Sequence, residues 1–223
     1  MKAYYQDDLV TVYHGDCLQI TEWLAADVLV TDPPYGIDLM TRGSYGRKGY
    51  VGESIKHAIR GDGDMGARDS AVALWGKKQR IIFGSWKQPR PEPVDFRLIW
   101  HKAGSPPGPL RAAFMSQDEE IYITGTGFLK TSPPLRSVIR TSEHRPTAVM
   151  QIGHPTPKPV GLMEVLISTT EGTVADPFAG SGSTLVAARN LGRKVIGVEL
   201  EERYCELIAK RLSQQAFDLG EIA

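Results

Sequence analysis

Two short segments of this 223-residue chain carry side chains whose types and spacing suit chemistry. The first, Asp32-Pro33-Pro34-Tyr35, follows a run of apolar residues. Consecutive prolines stiffen the backbone and lack amide hydrogens, so nearby carbonyl oxygens stay free to accept hydrogen bonds. A carboxylate beside such a carbonyl suits the two hydrogens of an aromatic amine, and a tyrosine ring offers a face for stacking. The segment predicts a site for a flat ring with an amino group; the alternative is a stiff turn in which Asp32 caps a helix.

The second segment runs from Asp176 to Thr184 and contains a glycine-rich turn between a predicted strand and a predicted helix. This order lets a ligand approach the backbone closely. Glu199 lies 17 residues beyond Gly182, where nucleotide-binding folds place an acid that accepts ribose hydroxyls. A dinucleotide would favour a glycine at the position of Leu185, so the pattern predicts a smaller adenosine ligand. A glycine turn without a ligand is the alternative.

The apolar patterns predict the elements that position these segments. Strands are predicted over residues 9–13, 28–31, 81–83, 98–100, 121–124, 173–175 and 194–200, and helices over residues 17–24, 159–170, 183–191 and 201–215. Strands that alternate with helices predict an α/β fold with a largely parallel sheet. Ligands bind such sheets at the carboxyl ends of the strands, where both segments would lie.

The composition bounds the class of protein. A chain of 223 residues fits a single domain over residues 1–223, and 41% hydrophobic with 23% charged residues is ordinary for a soluble protein. No signal peptide or membrane-spanning stretch is apparent. Two cysteines and five histidines lack the spacing of a disulfide framework or a metal site. We therefore expect a cytoplasmic protein that uses neither metal nor membrane.

The zero net charge hides an uneven distribution. Residues 36–160 carry 19 Lys and Arg against 11 Asp and Glu, whereas the flanking parts carry 7 against 15. A basic middle predicts contact with nucleic-acid phosphates, although a solvated surface would look similar. Residues 36 to about 70, rich in glycine and charge, are predicted to form a mobile loop facing that partner. The candidate phosphate contacts are Arg42, Arg47, Lys48, Arg60, Arg68, Lys77, Lys78, Arg80, Lys87 and Arg90.

Both segments resemble motifs of the amino-methyltransferases of DNA, which make N6-methyladenine or N4-methylcytosine. Asp32-Pro33-Pro34-Tyr35 is similar to motif IV, and Asp176-Pro177-Phe178-Ala179-Gly180-Ser181-Gly182 to motif I. Motif IV comes first here, which is the permuted order of that family's beta class. Residues 15–16, 97–102, 120–122 and 154–159 extend the resemblance over nearly the whole chain, leaving residues 36–79 and 125–153 without a counterpart.

The resemblance implies a circularly permuted, Rossmann-like methyltransferase fold that uses S-adenosylmethionine. Its seven-stranded, mostly parallel sheet would contain one antiparallel strand, with the first strand beside the last. The catalytic residues implied are Asp32, Pro33, Pro34 and Tyr35. Thr156 and Lys158 would hold the methionine carboxylate, Asp16 would lie near the adenine, and Glu199 would accept the ribose hydroxyls. The remaining cofactor-binding residues implied are Cys17, Asp176, Pro177, Phe178, Ala179, Gly180, Ser181 and Gly182.

The reaction implied is site-specific methylation of adenine N6 in DNA, by direct transfer without a cysteine nucleophile. An aspartate at the start of motif IV favours adenine, because cytosine enzymes of this group more often have serine there. Cytosine N4 methylation and a catalytically idle DNA-binding or cofactor-binding regulator are the alternatives. Protein glutamine methylases are disfavoured, because they start this motif with asparagine and place it after the glycine turn.

The region predicted to recognise the DNA target, residues 125–153, is shorter than usual for the family. We therefore expect Arg42, Arg47 or Lys48 in the predicted loop to share DNA recognition; loose sequence specificity is the alternative. A homodimer is expected to enlarge the DNA surface. The recognition sequence, and whether a restriction nuclease accompanies the enzyme, stay open.

Overall fold

The computed structural model describes residues 1–35, 65–103, 117–141 and 157–220, with side chains up to residue 214. These residues form one nine-stranded sheet with helices packed against it. The strands are β1 (Tyr5–Gln6), β2 (Val10–His14), β3 (Val28–Thr31), β4 (Arg80–Gly84), β5 (Phe96–Lys102), β6 (Asp118–Thr124), β7 (Val138–Thr141), β8 (Val174–Asp176) and β9 (Val195–Glu199). The described helices are α1 (Gly66–Trp75), α2 (Val160–Ile167), α3 (Ser183–Asn190) and α4 (Glu202–Gly220), with a 3-10 helix over Glu22–Ala25.

The sheet has the strand order β1-β2-β9-β8-β3-β4-β6-β5-β7. Strands β1 and β6 run antiparallel to their neighbours, and the other pairings are parallel. The predicted α/β class is confirmed, as is the pairing of the first predicted strand, β2, with the last, β9. The seven predicted strands with one antiparallel member correspond to the run from β2 to β5. The described sheet is wider by one strand at each edge, because β1 and β7 are short and lack an apolar run.

Apolar side chains cover both faces of the central strands. All four residues of β3 are buried, as expected for a parallel strand between two helical layers. On one face Val30 and Leu166 belong to a cluster with α2 and α3. On the other face Leu29 packs with Trp23 and Trp75, whose rings stack 5.7 Å apart. The sheet is therefore a rigid support for whatever its carboxyl edge carries.

Two local predictions are wrong. The helix predicted over residues 17–24 is instead a turn followed by the four-residue 3-10 helix. Trp23 donates its indole N–H to the Cys17 carbonyl at 2.9 Å, and the Asp16 carboxylate accepts the Leu18 amide, so local side-chain bonds displace helical ones. Residues 66–70, the end of the predicted loop, belong to α1. Residues 36–64 of that loop lie outside the described residues.

Gly197 on β9 lets α3 pack closely against the sheet. A β-carbon added there would lie 2.8 Å from the Leu185 side chain, which is fully buried. In this fold the small residue that allows close packing of helix and strand therefore lies on the strand, and the large one on the helix.

We expect Gly197→Ala to lower the free energy of unfolding by about 1–3 kcal/mol, because a methyl group would overpack the Leu185 contact. Urea unfolding measures this effect. The double variant Gly197→Ala, Leu185→Ala provides room for the methyl group, so its loss should be smaller than the sum of the two single losses. Strictly additive losses would contradict the packing argument.

Candidate active site

The two chain-distant segments meet at the carboxyl edge of the sheet. Strands β3 and β8 are parallel neighbours, with Val28 beside Val174. At their ends the Thr31 hydroxyl donates a hydrogen bond of 2.6 Å to the Asp176 carboxylate, across a sequence separation of 145 residues. This bond joins the last residue of one strand to the last residue of the other. Asp32 therefore begins its turn directly beside the glycine-rich turn.

The Asp32 carboxylate has a hydrogen-bond partner on each oxygen. Tyr35 donates its hydroxyl to Oδ1 at 2.6 Å, and the Lys158 ammonium contacts Oδ2. Burial, joined by repulsion from Glu119, raises the pKa of Asp32, while Lys158 acts to lower it. Burial also raises the pKa of Tyr35 well above its usual range, so its hydroxyl stays a donor. Pro33 is buried.

Lys158 precedes α2 and points its ammonium into this buried cluster. Its side chain is 6% exposed and also lies 3.2 Å from Glu119 Oε2. Burial acts to lower the pKa of Lys158, but the two carboxylates outweigh it and raise that pKa. Three aromatic rings face the ammonium at 5.0 to 6.0 Å, namely Phe83, Tyr35 and Trp100. The family resemblance implied that Lys158 holds the methionine carboxylate of the cofactor. In this structure its ammonium contacts Asp32, the predicted amine-binding residue.

Glu119 is a site residue that the sequence reasoning missed. It lies on β6, the antiparallel strand between β4 and β5, and its carboxylate is 16% exposed. Lys102 on β5 contacts Oε1, while Lys158 and the Tyr35 hydroxyl approach Oε2 at 3.2 and 3.3 Å. One available signal was the acidic start of a strand that is otherwise apolar. Strand alternation places Glu119 and its neighbour Glu120 on opposite faces.

The glycine-rich turn is tied to Glu199. The Gly180 amide donates to Glu199 Oε2 at 2.7 Å, and the Glu201 amide donates to Oε1 at 2.8 Å. Each carboxylate oxygen keeps a further acceptor position. Gly15 donates its amide to the Glu199 carbonyl at 2.8 Å, which brings the turn at Asp16 to the same edge. Burial raises the pKa of Glu199 to about 7.

The residues that line the turn have defined places. Asp176 is buried, which raises its pKa to about 6, and it accepts the Phe178 amide at 3.1 Å. The Ala179 amide donates to the Val198 carbonyl, and Pro177, Ala179 and Ser181 are buried. Gly182 has a φ of 80°, and a β-carbon there would lie 2.8 Å from Ile208. Glycine is thus required at position 182 both by the positive φ and by the lack of room for a β-carbon.

Cys17 and Cys205 are poor nucleophiles. Burial raises the pKa of each thiol to about 12, so neither is a thiolate near neutral pH. Cys17 lies next to Asp16 at the carboxyl edge, with a buried side chain. The chemistry of the edge therefore rests on its carboxylates, hydroxyls and carbonyls.

Three predicted phosphate contacts have structural roles instead. Arg68 and Arg80 are 3% and 2% exposed and donate to the carbonyls of Pro89, Pro91 and Pro93. Lys78 donates to the carbonyls of residues 24 and 26. By contrast, Trp86, just after β4, is 66% exposed, with the Lys87 ammonium 5.5 Å from its ring. Arg42, Arg47, Lys48 and Thr156 lie outside the described residues.

None of the helices in the described part of the chain combines the length and apolarity needed to cross a membrane. Within the same residues, no three His, Cys, Asp or Glu side chains are grouped to hold a metal ion.

Residues 26–211 match the DNA methylase family. The chain belongs to this family. It is 30% identical over 224 residues to YubD of Escherichia coli (strain K12), and the match covers 92% of each protein. The crystal structure of the M1.HpyAVI-SAM complex superposes with a TM-score of 0.62 at 22% identity, covering 91% of this chain and 100% of that one. PvuII DNA methyltransferase (cytosine-N4-specific) gives a TM-score of 0.62 at 17% identity, covering 93% and 88%.

At these identities the solved structures show likeness of fold alone, and they confirm the predicted methyltransferase fold. The family match also confirms the resemblance to DNA amino-methyltransferases. Membership of the permuted beta class stays a prediction.

The raised pKa of Glu199 makes the stability of this DNA methylase depend on pH. The folded state holds the Glu199 proton more tightly than the unfolded chain, whose value is near 4.5. That stabilisation is complete below the unfolded value and is lost as the pH rises through about 7. The free energy of unfolding, relative to Glu199→Gln, should therefore fall by about 3 kcal/mol between pH 4.5 and pH 8. Urea unfolding of both proteins across this range measures it, and a constant difference would contradict the assignment.

Proposed function

We propose that this DNA methylase transfers a methyl group from S-adenosylmethionine to the exocyclic N6 amine of adenine at specific sites in DNA. The observation that carries the proposal is the bond between Thr31 and Asp176. It fixes the amine-binding acid, Asp32, beside the turn that would hold the cofactor. Adjacent strands of one sheet then set the distance between the amine-binding acid and the cofactor-binding turn.

The residues at the glycine-rich turn fit the cofactor. Glu199 is held by two backbone amides and keeps acceptor positions for two ribose hydroxyls. Gly180 has a positive φ, no side chain and a partly exposed backbone, so a ligand can approach the backbone there. M1.HpyAVI, which shares the fold, has been crystallised as a SAM complex. We assign Asp16, Asp176, Glu199 and the turn to cofactor binding, with Cys17 beside Asp16.

When bound, S-adenosylmethionine supplies an electrophilic methyl carbon. The target amine is a weak nucleophile, since its lone pair is conjugated with the ring. Asp32 accepts one amine hydrogen and the Pro33 carbonyl accepts the other, which concentrates electron density on nitrogen. Asp32 then takes the proton that nitrogen loses, which suits its raised pKa. Tyr35 orients Asp32 through its hydroxyl and offers its ring to the flipped base.

The choice of adenine rests on the aspartate at position 32, which is an argument from family resemblance. Cytosine N4 is the second candidate, and one fold neighbour is a cytosine-N4-specific enzyme. An idle regulator is disfavoured, because the acceptor groups of Asp32 and Glu199 are both held in place by hydrogen bonds. A homodimer that enlarges the DNA surface is part of the proposal.

DNA would approach the carboxyl edge of the sheet. Trp86 follows β4 at this edge, next to the end of β3, and offers an exposed ring with Lys87 beside it. An aromatic ring with a cation suits stacking on a base and contact with a phosphate. Arg42, Arg47 and Lys48 are proposed to complete the recognition surface, together with the part of the predicted 125–153 region that follows β7, because residue 125 leaves β6 at the opposite edge.

We expect Asp32→Asn to lower kcat for DNA methylation by about 10²- to 10⁴-fold, because an amide is a weak acceptor and cannot take the proton. Cofactor affinity, measured by calorimetry, should change little. Transfer of tritiated methyl groups to DNA measures kcat. Asp27→Asn is a matched control, since Asp27 lies at the opposite end of β3 and binds the Thr173 amide. Full activity of Asp32→Asn would rule out the assigned role.

The target base is decided by a separate experiment. The chain is expressed in cells that lack native methylation, and the DNA is read by sequencing that reports N6-methyladenine and N4-methylcytosine separately. We expect N6-methyladenine within one short recognition sequence. Methylcytosine instead would replace adenine by the second candidate, and an unmodified genome from soluble protein would favour the idle regulator.

We expect Trp86→Ala to weaken DNA binding by about 10-fold, because base stacking on an aromatic ring contributes about 1–3 kcal/mol. Fluorescence anisotropy of a labelled duplex measures the dissociation constant. Phe96→Ala is the matched control, since Phe96 is 55% exposed but begins β5 at the opposite edge of the sheet. Equal losses for the two variants would contradict a DNA-binding role of Trp86.

A further inference from the structure

Three charged side chains, one buried and two partly buried, form a compact group at the proposed amine-binding position. Lys158 contacts Asp32 Oδ2 and lies 3.2 Å from Glu119 Oε2, and its side chain is 6% exposed. The carboxylates of Asp32 and Glu119 are 23% and 16% exposed. One ammonium is therefore shared by two carboxylates, only one of which belongs to the amine-binding motif. Among the partners of Glu119 is a second ammonium, that of Lys102.

We propose that Glu119 is a positioning residue that shares the Lys158 ammonium with Asp32, so that Asp32 is a stronger acceptor for the target amine than it would be as the sole partner of that cation. This inference rests on the proposed function and adds a residue to it. Glu119 acts through Lys158 and through the Tyr35 hydroxyl, which it approaches at 3.3 Å, rather than by touching the substrate.

The positive charge of Lys158 weakens Asp32 as a hydrogen-bond acceptor. A carboxylate that carries an ammonium on one oxygen attracts the hydrogens of a neutral amine less strongly, because the cation withdraws electron density and occupies an acceptor position. Buried charges interact strongly, so the cation stays with whichever carboxylates are close. With Glu119 present, Lys158 divides its hydrogens between two acids. Without that charge, Asp32 would hold the ammonium alone.

The group has a definite formal charge. Asp32, Glu119, Lys158 and Lys102 together carry no net charge, and Glu119→Gln leaves one net positive charge beside Asp32. The double variant Glu119→Gln, Lys158→Met restores the net charge of zero and removes the cation that contacts Asp32. If the charge at Asp32 governs amine activation, kcat falls in Glu119→Gln and recovers in the double variant. If the variants only lose packing, kcat falls further with each substitution.

The test measures kcat at saturating DNA and S-adenosylmethionine, together with KM for each. We expect Glu119→Gln to lower kcat by about 10- to 100-fold, with little change in KM for the cofactor. The double variant should recover at least about threefold of that loss, although its KM for the cofactor rises if Lys158 also holds the methionine carboxylate. Asp118→Asn, on the opposite face of β6, is the control and should stay near the kcat of the natural protein.

A kcat of Glu119→Gln near that of the natural protein overturns the inference, and so does a double variant no more active than Glu119→Gln. If Glu119→Gln does not fold, as judged by circular dichroism, Lys102→Met carries the test. Without the Lys102 ammonium, less positive charge offsets Glu119, so Glu119 attracts the Lys158 ammonium more strongly. The kcat of Lys102→Met should therefore equal or exceed that of the natural protein. A lower kcat overturns the inference. A natural protein that methylates no DNA would instead overturn the proposed function, which separates the two failures.

Discussion

The parallel pairing of β3 with β8 is the constraint on which the site depends. The last residues of the two strands are joined by a hydrogen bond, which the Thr31 hydroxyl donates to the Asp176 carboxylate. A shift of one residue in either strand would turn these side chains to opposite faces and break the contact. The buried apolar residues of β3 fix that register from both sides of the sheet. The paired strands thus set the distance between the turn at Asp32 and the glycine-rich turn.

Three acids whose pKa is raised by burial lie at the carboxyl edge, and each is held by hydrogen-bond donors or a cation. Burial raises the pKa of Asp32, Asp176 and Glu199. Backbone amides compensate Glu199, hydroxyl and amide donors compensate Asp176, and an ammonium compensates Asp32. Only the last of these partners is a charged side chain. Asp32 is therefore the acid whose pKa depends most directly on the charge of a neighbouring side chain.

The antiparallel strand β6 contributes more than width to the sheet. By entering between β4 and β5 it brings its first residues to the carboxyl edge, although its own carboxyl end lies at the other. Glu119 reaches Lys158 for this reason. The same edge carries the exposed Trp86 after β4, so Asp32, its electrostatic partners and an exposed ring lie along neighbouring strands. The groups proposed to contact the cofactor, the base and the duplex thus lie along one edge.

Most of the sheet and both motifs could be predicted from the sequence, because apolar periodicity and the spacing of proline, glycine and acid are local properties. The order of motifs and the pairing of β2 with β9 followed from family resemblance. The turn after Asp16 was mispredicted, since a Trp23 side-chain bond replaced helical ones. Arg68 and Arg80 read as surface cations, yet neighbouring carbonyls hold them in the interior. The sequence alone determined which groups could perform the chemistry. Only the tertiary structure decided that Asp32 and Glu119 share the Lys158 ammonium, because charges far apart in the chain interact only after the strands are paired.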